Sequence, residues 1–359
     1  MLLYSNYQLG TITLKNKAVM APMTRNRAIK NIPNELMAKY YGQRSGAGLI
    51  ITEGTAPSPN GLGYARIPGI FNDAQINGWR LIADQVHQKE GKIFMQIMHT
   101  GRVSHPDNME EGTCIMAPSA VALSGEVHTD KNGMQSYPTP KEMTLSDIEE
   151  AQNEFVQASV NAIKAGIDGI ELHSANGYLL DQFINPCTNK RNDNYGGSIE
   201  NRCRFVIEVA QKVALAIGKD KTGIRYSPYG VFNDMTAFDD IEETYEFLAQ
   251  EMNKIGIVYI HLVDHSAMGA PEVPVSVKEK IRAAFSGTII HCGGYNSETA
   301  EKDLKNSNAD LIAFGRPFIS NPDLLERFKK SIPLKEGDFD SFYSPDEKGY
   351  TDYKTANEV

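Results

Sequence analysis

Eight short apolar runs recur along the chain, separated by stretches long enough to hold a helix, and this alternation constrains the fold more than any other feature. The runs are residues 17–21, 48–53, 92–98, 168–172, 221–226, 257–263, 287–292 and 309–313, rich in β-branched and aliphatic residues. Strands alternating with helices imply a parallel sheet, and eight repeats imply a (β/α)8 barrel. Residues 73–90 place Ile76, Trp79, Ile82, Ala83 and Val86 on one helical face, with Asp73 at the start as cap. Residues 146–165 open with Ser146 and carry Glu149 three places later, the pattern of a capping box.

At 359 residues and 41% hydrophobic content, the chain suits either two domains or one barrel with insertions. The repeated spacing favours a single domain over 1–359. Two stretches break the alternation. Residues 99–143 are too long for an ordinary βα connection and imply an excursion over the barrel mouth. The tail from about residue 333 reads either as a disordered end or as a segment docked through Phe342, Tyr343, Tyr350 and Tyr353.

A net charge of −9 with mixed signs lacks the basic footprint of a nucleic-acid binder. No run approaches the ~18 apolar residues that would span a bilayer, and the first residues do not resemble a signal peptide. A cytoplasmic protein, monomeric or a small homo-oligomer, is the expectation. Cys114, Cys187, Cys203 and Cys292 are scattered, which suits reduced thiols and no metal site.

A barrel gathers its chemistry at the C-terminal ends of its strands, and polar residues lie at or just past most of the runs. After the fourth run comes E-L-H-S-A-N-G-Y, residues 171–178. His173 and Asn176 can both donate to one oxygen, polarising a carbonyl and stabilising an enolate, and Tyr178 can act as general acid. The competing reading is a satisfied strand-end histidine and a surface tyrosine. Gly293-Gly294 and Gly315-Arg316 follow the last two runs, where barrels commonly hold phosphate; two plain turns are the alternative. Arg225, in a run that reads as barrel interior, needs an anion. It can stabilise negative charge on a reduced flavin if the phosphorylated group is FMN, or it can pair with Glu53 or Asp264. Thr24 and Gln96 can satisfy the polar edge of the same ring. His261 and His265 are four apart but not on one helix, so they do not form a zinc motif. Gly61-Leu62-Gly63 lacks the context of a dinucleotide fingerprint, so any nicotinamide must enter the mouth as a substrate.

Taken in order, L-G-T-I-T-L-K-N, A-P-M-T-R (21–25), Q-I-M-H-T-G-R (96–102), H-S-A-N-G-Y-L-L-D-Q-F (173–183), N-K-R-N-D-N-Y-G-G-S-I-E-N-R (189–202), F-G-R-P-F (314–318) and G-Y-T-D-Y (349–353) resemble the Old Yellow Enzyme family of FMN-dependent ene-reductases. The resemblance covers nearly the whole chain. It implies non-covalent FMN reduced by NAD(P)H, and hydride delivery to an activated alkene or a quinone. It assigns carbonyl binding to His173 and Asn176 and proton donation to Tyr178. It places Pro22, Met23, Thr24, Gly54, Gln96, Arg225, Gly293, Gly294, Gly315 and Arg316 at FMN, and Tyr64, Met98 and Tyr350 at the substrate. Met98 stands where relatives commonly carry tryptophan, which implies a different substrate range. A 2-hydroxyacid oxidase shares barrel and flavin but fits this grouping poorly, and a flavin-storage protein would have no use for the donor pair and the tyrosine.

Overall fold

The computed structural model describes residues 1–358. Eight parallel strands close a barrel: β1 (Ala18–Met20), β2 (Leu49–Ile51), β3 (Ile93–Ile97), β4 (Gly169–Ser174), β5 (Thr222–Tyr226), β6 (Tyr259–Val263), β7 (Thr288–Cys292) and β8 (Leu311–Phe314). Each lies within or across its apolar run. Eight of the ten α-helices among the described residues follow them around the outside: α1 (Glu35–Gln43), α2 (Asp73–His87), α3 (Leu145–Lys164), α4 (Ile199–Ile217), α5 (Ile241–Ile255), α6 (Val275–Ala284), α7 (Ser297–Lys305) and α8 (Leu324–Lys330); the other two are the short helices Leu179–Ile184 and Arg316–Ser320.

Strand side chains alternate between barrel interior and helix layer, as the two-residue period of a strand requires. Ile93, Met95, Ile170, Leu172, Ile224, Ile260 and Ile312 pack outward against the helices. Val19, Leu49, Ile51, Phe94, Tyr259, Ile290 and Leu311 fill the interior, and Leu9 and Leu14 of an antiparallel hairpin (Tyr7–Leu9 with Ile12–Leu14) join that cluster. The Phe94 and Tyr259 rings, with centroids 5.9 Å apart, occupy so much of the interior that two strand positions must be glycine. A Cβ on Gly169 would come within 2.4 Å of the Phe94 ring, and one on Gly223 within 2.3 Å of the Tyr259 ring.

Two helix starts differ from expectation. Asn72, not Asp73, caps α2 and forms a capping box with Gln75. Thr144, not Ser146, caps α3, with Asp147 replacing Glu149 in the box. In both cases the cap lies one or two residues earlier, where the chain is still extended. The stretch 99–143 carries its own small strands, a hairpin (Glu126–Thr129 with Gly133–Ser136) and a parallel pair (Met116–Ala117 with Lys141–Glu142).

The tail docks. Phe342 and Tyr350 are buried, Tyr353 is half-buried and its hydroxyl accepts from the Asp338 N–H, whereas Tyr343 stays 58% exposed. The buried guanidinium of Arg25 donates to the carbonyls of Phe342 at 3.1 Å and Gly349 at 2.6 Å. Arg27 donates to those of Asp346, Ser341 and Lys348, and Arg44 reaches the Tyr350 carbonyl. All four cysteines are free thiols. Among the described residues no helix is long and apolar enough to cross a membrane.

Candidate active site

Ladder register brings the polar residues together. Gln96 on β3 pairs across to Glu171 on β4, and His173, Arg225 and His261 lie side by side on β4, β5 and β6. All five sit at inward-facing positions toward the C-terminal end of the barrel, above the Phe94–Tyr259 layer. Glu171 is completely buried. It accepts from Gln96 Nε2 at 2.8 Å and from the Tyr259 hydroxyl at 3.1 Å, with His261 Nδ1 at 2.8 Å. Burial alone would raise its pKa; His261, the Arg225 charge and the Gln96 hydrogen bond outweigh that and hold the carboxyl below the usual range. Gln96 spends one amide N–H on Glu171, which leaves its second N–H to donate and its oxygen to accept from a ligand.

Arg225 supplies the test of the implied flavin. It is 5% exposed and its Nε is buried with no partner; its Nη2 lies 3.8 Å from Cys292 Sγ. Neither carboxylate considered above reaches it: Glu53 accepts from the Tyr41 hydroxyl and the Arg25 N–H, and Asp264 pairs with Lys278 at 3.0 Å. A buried cation held without an ion pair fits a site built for an anionic ligand. The glycines fit too. Gly293 and Gly294 take φ of 149° and 62°, and with Asp264 and Lys278 they line a cavity of about 220 Å³. A Cβ on Gly54 would lie 2.5 Å from Met98 Sδ, and one on Gly315 3.7 Å from Met23 Sδ, so the ends of β1 and β8 meet at Met23, just after Pro22 and before Thr24. Arg316 is exposed and stacks on Phe339 at 5.3 Å.

The donor pair and tyrosine stand beside Arg225. His173 is buried, and desolvation, with Arg225 next, holds its pKa well below the usual histidine value, so the ring is neutral. Its Nδ1 has no partner. Asn176 adopts φ of 59°, a left-handed conformation that asparagine tolerates. Three contacts hold it: its N–H donates to Ser227 Oγ at 2.7 Å, its carbonyl accepts from Asn233 Nδ2 at 2.7 Å, and its Oδ1 lies 2.8 Å from His265 Nε2. Gly177 follows at φ 76°, where a Cβ would meet Asn233 and Met235 at 2.9 Å. Its N–H donates to Asp181 at 2.9 Å. The turn therefore delivers Tyr178 with its ring edge-on to His173, centroids 4.8 Å apart, and its hydroxyl 3.1 Å from that of Tyr64. Burial raises the Tyr178 pKa, so the phenol keeps its proton at neutral pH.

Met98 is buried against Ala56, Leu62 and Ile67, with Tyr64 and Tyr178 packed on the same cluster. Tyr350 lies apart from the tyrosine pair, fully buried and stacked on Tyr40 with centroids 3.9 Å apart and Arg25 and Arg27 over its ring. Several contributors were not singled out in the sequence. Glu171 had a signal, since its two-residue spacing from His173 puts both inside the barrel. Asp181 had one as well, lying four residues beyond Gly177 within the 173–183 motif; Asn233 had none and His265 only its zinc-like spacing from His261, because only the fold brings those two to Asn176.

Residues 3–335 match the family described as NADH:flavin oxidoreductase / NADH oxidase. A probable flavin mononucleotide-dependent alkene reductase of Leishmania infantum is 38% identical over 96% of this chain and 95% of its own. The structure of morphinone reductase superposes with a TM-score of 0.95 at 40% identity, covering 99% of this chain and 96% of that one. The Old Yellow Enzyme homologue of Zymomonas mobilis gives 0.93 at 37% identity, covering 98% and 99%. With the inward-facing Arg225, the glycine turns and the His173–Asn176–Tyr178 group at one barrel mouth, the chain belongs to the NADH:flavin oxidoreductase family, the Old Yellow Enzyme group of FMN-dependent reductases.

Proposed function

We propose that this chain, as one FMN-binding barrel domain, reduces C=C bonds activated by a carbonyl, imide or nitro group, using NAD(P)H in two successive half-reactions at one site. The observation that carries the reading is the convergence of a neutral His173, Asn176 and a protonated Tyr178 beside a buried, unpaired Arg225. When bound, FMN would supply the redox chemistry, the transfer of hydride from NAD(P)H to the alkene β-carbon. Arg225, Gln96, Thr24, Pro22, Met23 and Gly54 would hold its ring system, and Gly293, Gly294, Gly315 and Arg316 its phosphate.

The protein's own work is polar. His173 and Asn176 donate to the activating oxygen and favour the charge that develops there. Tyr178 gives its proton to the α-carbon, and Tyr64, within hydrogen-bond distance, holds the hydroxyl in place. Met98, in place of a bulkier aromatic, sets the size of alkene admitted. We place the protein in the cytoplasm, as a monomer or small homo-oligomer acting on small alkenes or quinones.

The test is NAD(P)H oxidation by the purified yellow protein with and without 2-cyclohexenone, with a 2-hydroxyacid as the contrasting substrate. Enone-dependent oxidation is the expected result. Colourless protein that takes up no added FMN, or turnover of the hydroxyacid in place of the enone, overturns the reading.

A further inference from the structure

We propose that His265 is a positioning residue that fixes which end of the Asn176 carboxamide faces the substrate. The inference rests on the role of Asn176 proposed above and adds a residue outside it.

A carboxamide is a donor at one end and an acceptor at the other. If Asn176 is to donate to a substrate oxygen, its Nδ2 must face the mouth, and turning the amide round would present an oxygen to an oxygen. Backbone contacts do not decide between the two. Ser227 and Asn233 hold the Asn176 main chain, and neither touches the side-chain amide. The side-chain contact recorded for it is His265 Nε2, 2.8 Å from Oδ1. An Nε2–H donor there selects the productive orientation.

Three features make His265 such a donor. Burial lowers its pKa to about 4, with the Arg225 charge acting in the same direction, so the ring is neutral and carries one N–H. Its Nδ1 has no partner among the described residues, so nothing in the chain opposes the Nε2–H tautomer. The Phe232 ring stands edge-on at 4.6 Å and 72°, which fixes the imidazole plane. His265 follows the end of β6 beyond Asp264, whereas Asn176 follows β4; two separate loops therefore meet at the donor pair.

The test combines three substitutions of His265 with two backgrounds. Binding of 2-cyclohexenone and of 4-nitrophenol to the FMN-loaded protein is titrated by flavin absorbance. His265→Leu removes the donor and should weaken both ligands about tenfold, within the range for directly coupled neighbours. His265→Gln restores an N–H and should recover most of that loss. His265→Glu, titrated at a pH where the introduced carboxyl is ionised, offers only acceptors, turns the amide round and should weaken the neutral enone more than Leu does. In an Asn176→Ala background all three should have the same enone affinity as His265 itself, within twofold. FMN content and melting temperature are followed for each variant to confirm folding. Equal effects of the His265 series in both backgrounds, or a Leu variant that binds as tightly as the parent, would overturn the proposal. If the parent itself neither binds nor reduces 2-cyclohexenone, it is the functional reading that fails, and the two failures are thereby distinct.

Discussion

At the scale of single residues, the site is a set of neutral donors kept neutral by burial. Tyr178 shows what this does. Desolvation raises its pKa, the Tyr64 hydrogen bond opposes this in part and the Tyr343 side chain of the tail adds to it, so the proton is in place at neutral pH. Tyr178→Phe should therefore leave NAD(P)H reduction of the bound flavin nearly intact and slow enone turnover by roughly 10²-fold, the scale of a lost general acid. Stopped-flow traces of the two half-reactions separate these, and an unchanged enone rate would mean that water supplies the proton. Asp181 behaves oppositely to an exposed carboxylate. Burial raises its pKa from 3.8 to about 7, so between those values the folded chain holds a proton that the unfolded chain has lost. The stability this contributes is present below pH 3.8 and is lost as pH rises through about 7. Asparagine can accept the Gly177 N–H without ionising. The melting temperature of Asp181→Asn relative to the parent should climb from pH 4 to pH 7.5 and then level off; a difference independent of pH would show that Asp181 ionises normally.

Among elements, the strands were legible and the links between distant segments were not. Each of the eight apolar runs contains or overlaps a barrel strand, because a strand buried on both faces carries its own signature. His173, Asn176 and Tyr178 were legible as well, since one short stretch holds all three. Helix starts were legible only to within two residues, because Asp73 and Ser146 are as good caps in isolation as Asn72 and Thr144, and the surrounding chain chooses. The tail was ambiguous for a physical reason: its anchor is not its own apolar side chains alone but three guanidiniums more than 290 positions upstream, donating to its carbonyls. Arg25 directly follows Thr24, so this clamp ties the tail to the end of β1. Arg25→Met keeps most of the side-chain volume but strands the Gly349 carbonyl, at about 1–3 kcal/mol, whereas the Phe342 carbonyl keeps its bond from Arg27. Urea unfolding should show a loss of about 1–3 kcal/mol, and limited proteolysis should cut first within 341–350. Cleavage elsewhere at the parent rate would mean that Arg27 and Arg44 hold the segment without it.

For the whole molecule, the barrel divides into a lower interior packed with Phe94, Tyr259, Leu49 and Leu311 and an upper interior that holds Gln96, Glu171, His173, Arg225 and His261. The lower part is stable by burial. The upper part contains a guanidinium with an unpartnered Nε, a cost that binding an anionic ligand removes, so stability and cofactor occupancy should be linked. A ligand that binds only the folded chain adds RT ln(1 + [L]/Kd), about 2.7 kcal/mol at a hundredfold excess over Kd. Thermal unfolding of flavin-stripped protein should therefore shift upward with added FMN. Riboflavin offers the ring to Arg225 and Gln96 but no phosphate to Gly293, Gly294, Gly315 and Arg316, so at equal concentration it should raise the melting temperature much less. Arg316 is exposed beside Phe339 and is not part of the packed core. Arg316→Ala should consequently leave the melting temperature of the stripped protein almost unchanged while narrowing the gap between FMN and riboflavin. If riboflavin stabilises the parent as strongly as FMN, the turns after β7 and β8 do not hold a phosphate, and the anion that Arg225 awaits is the ring alone.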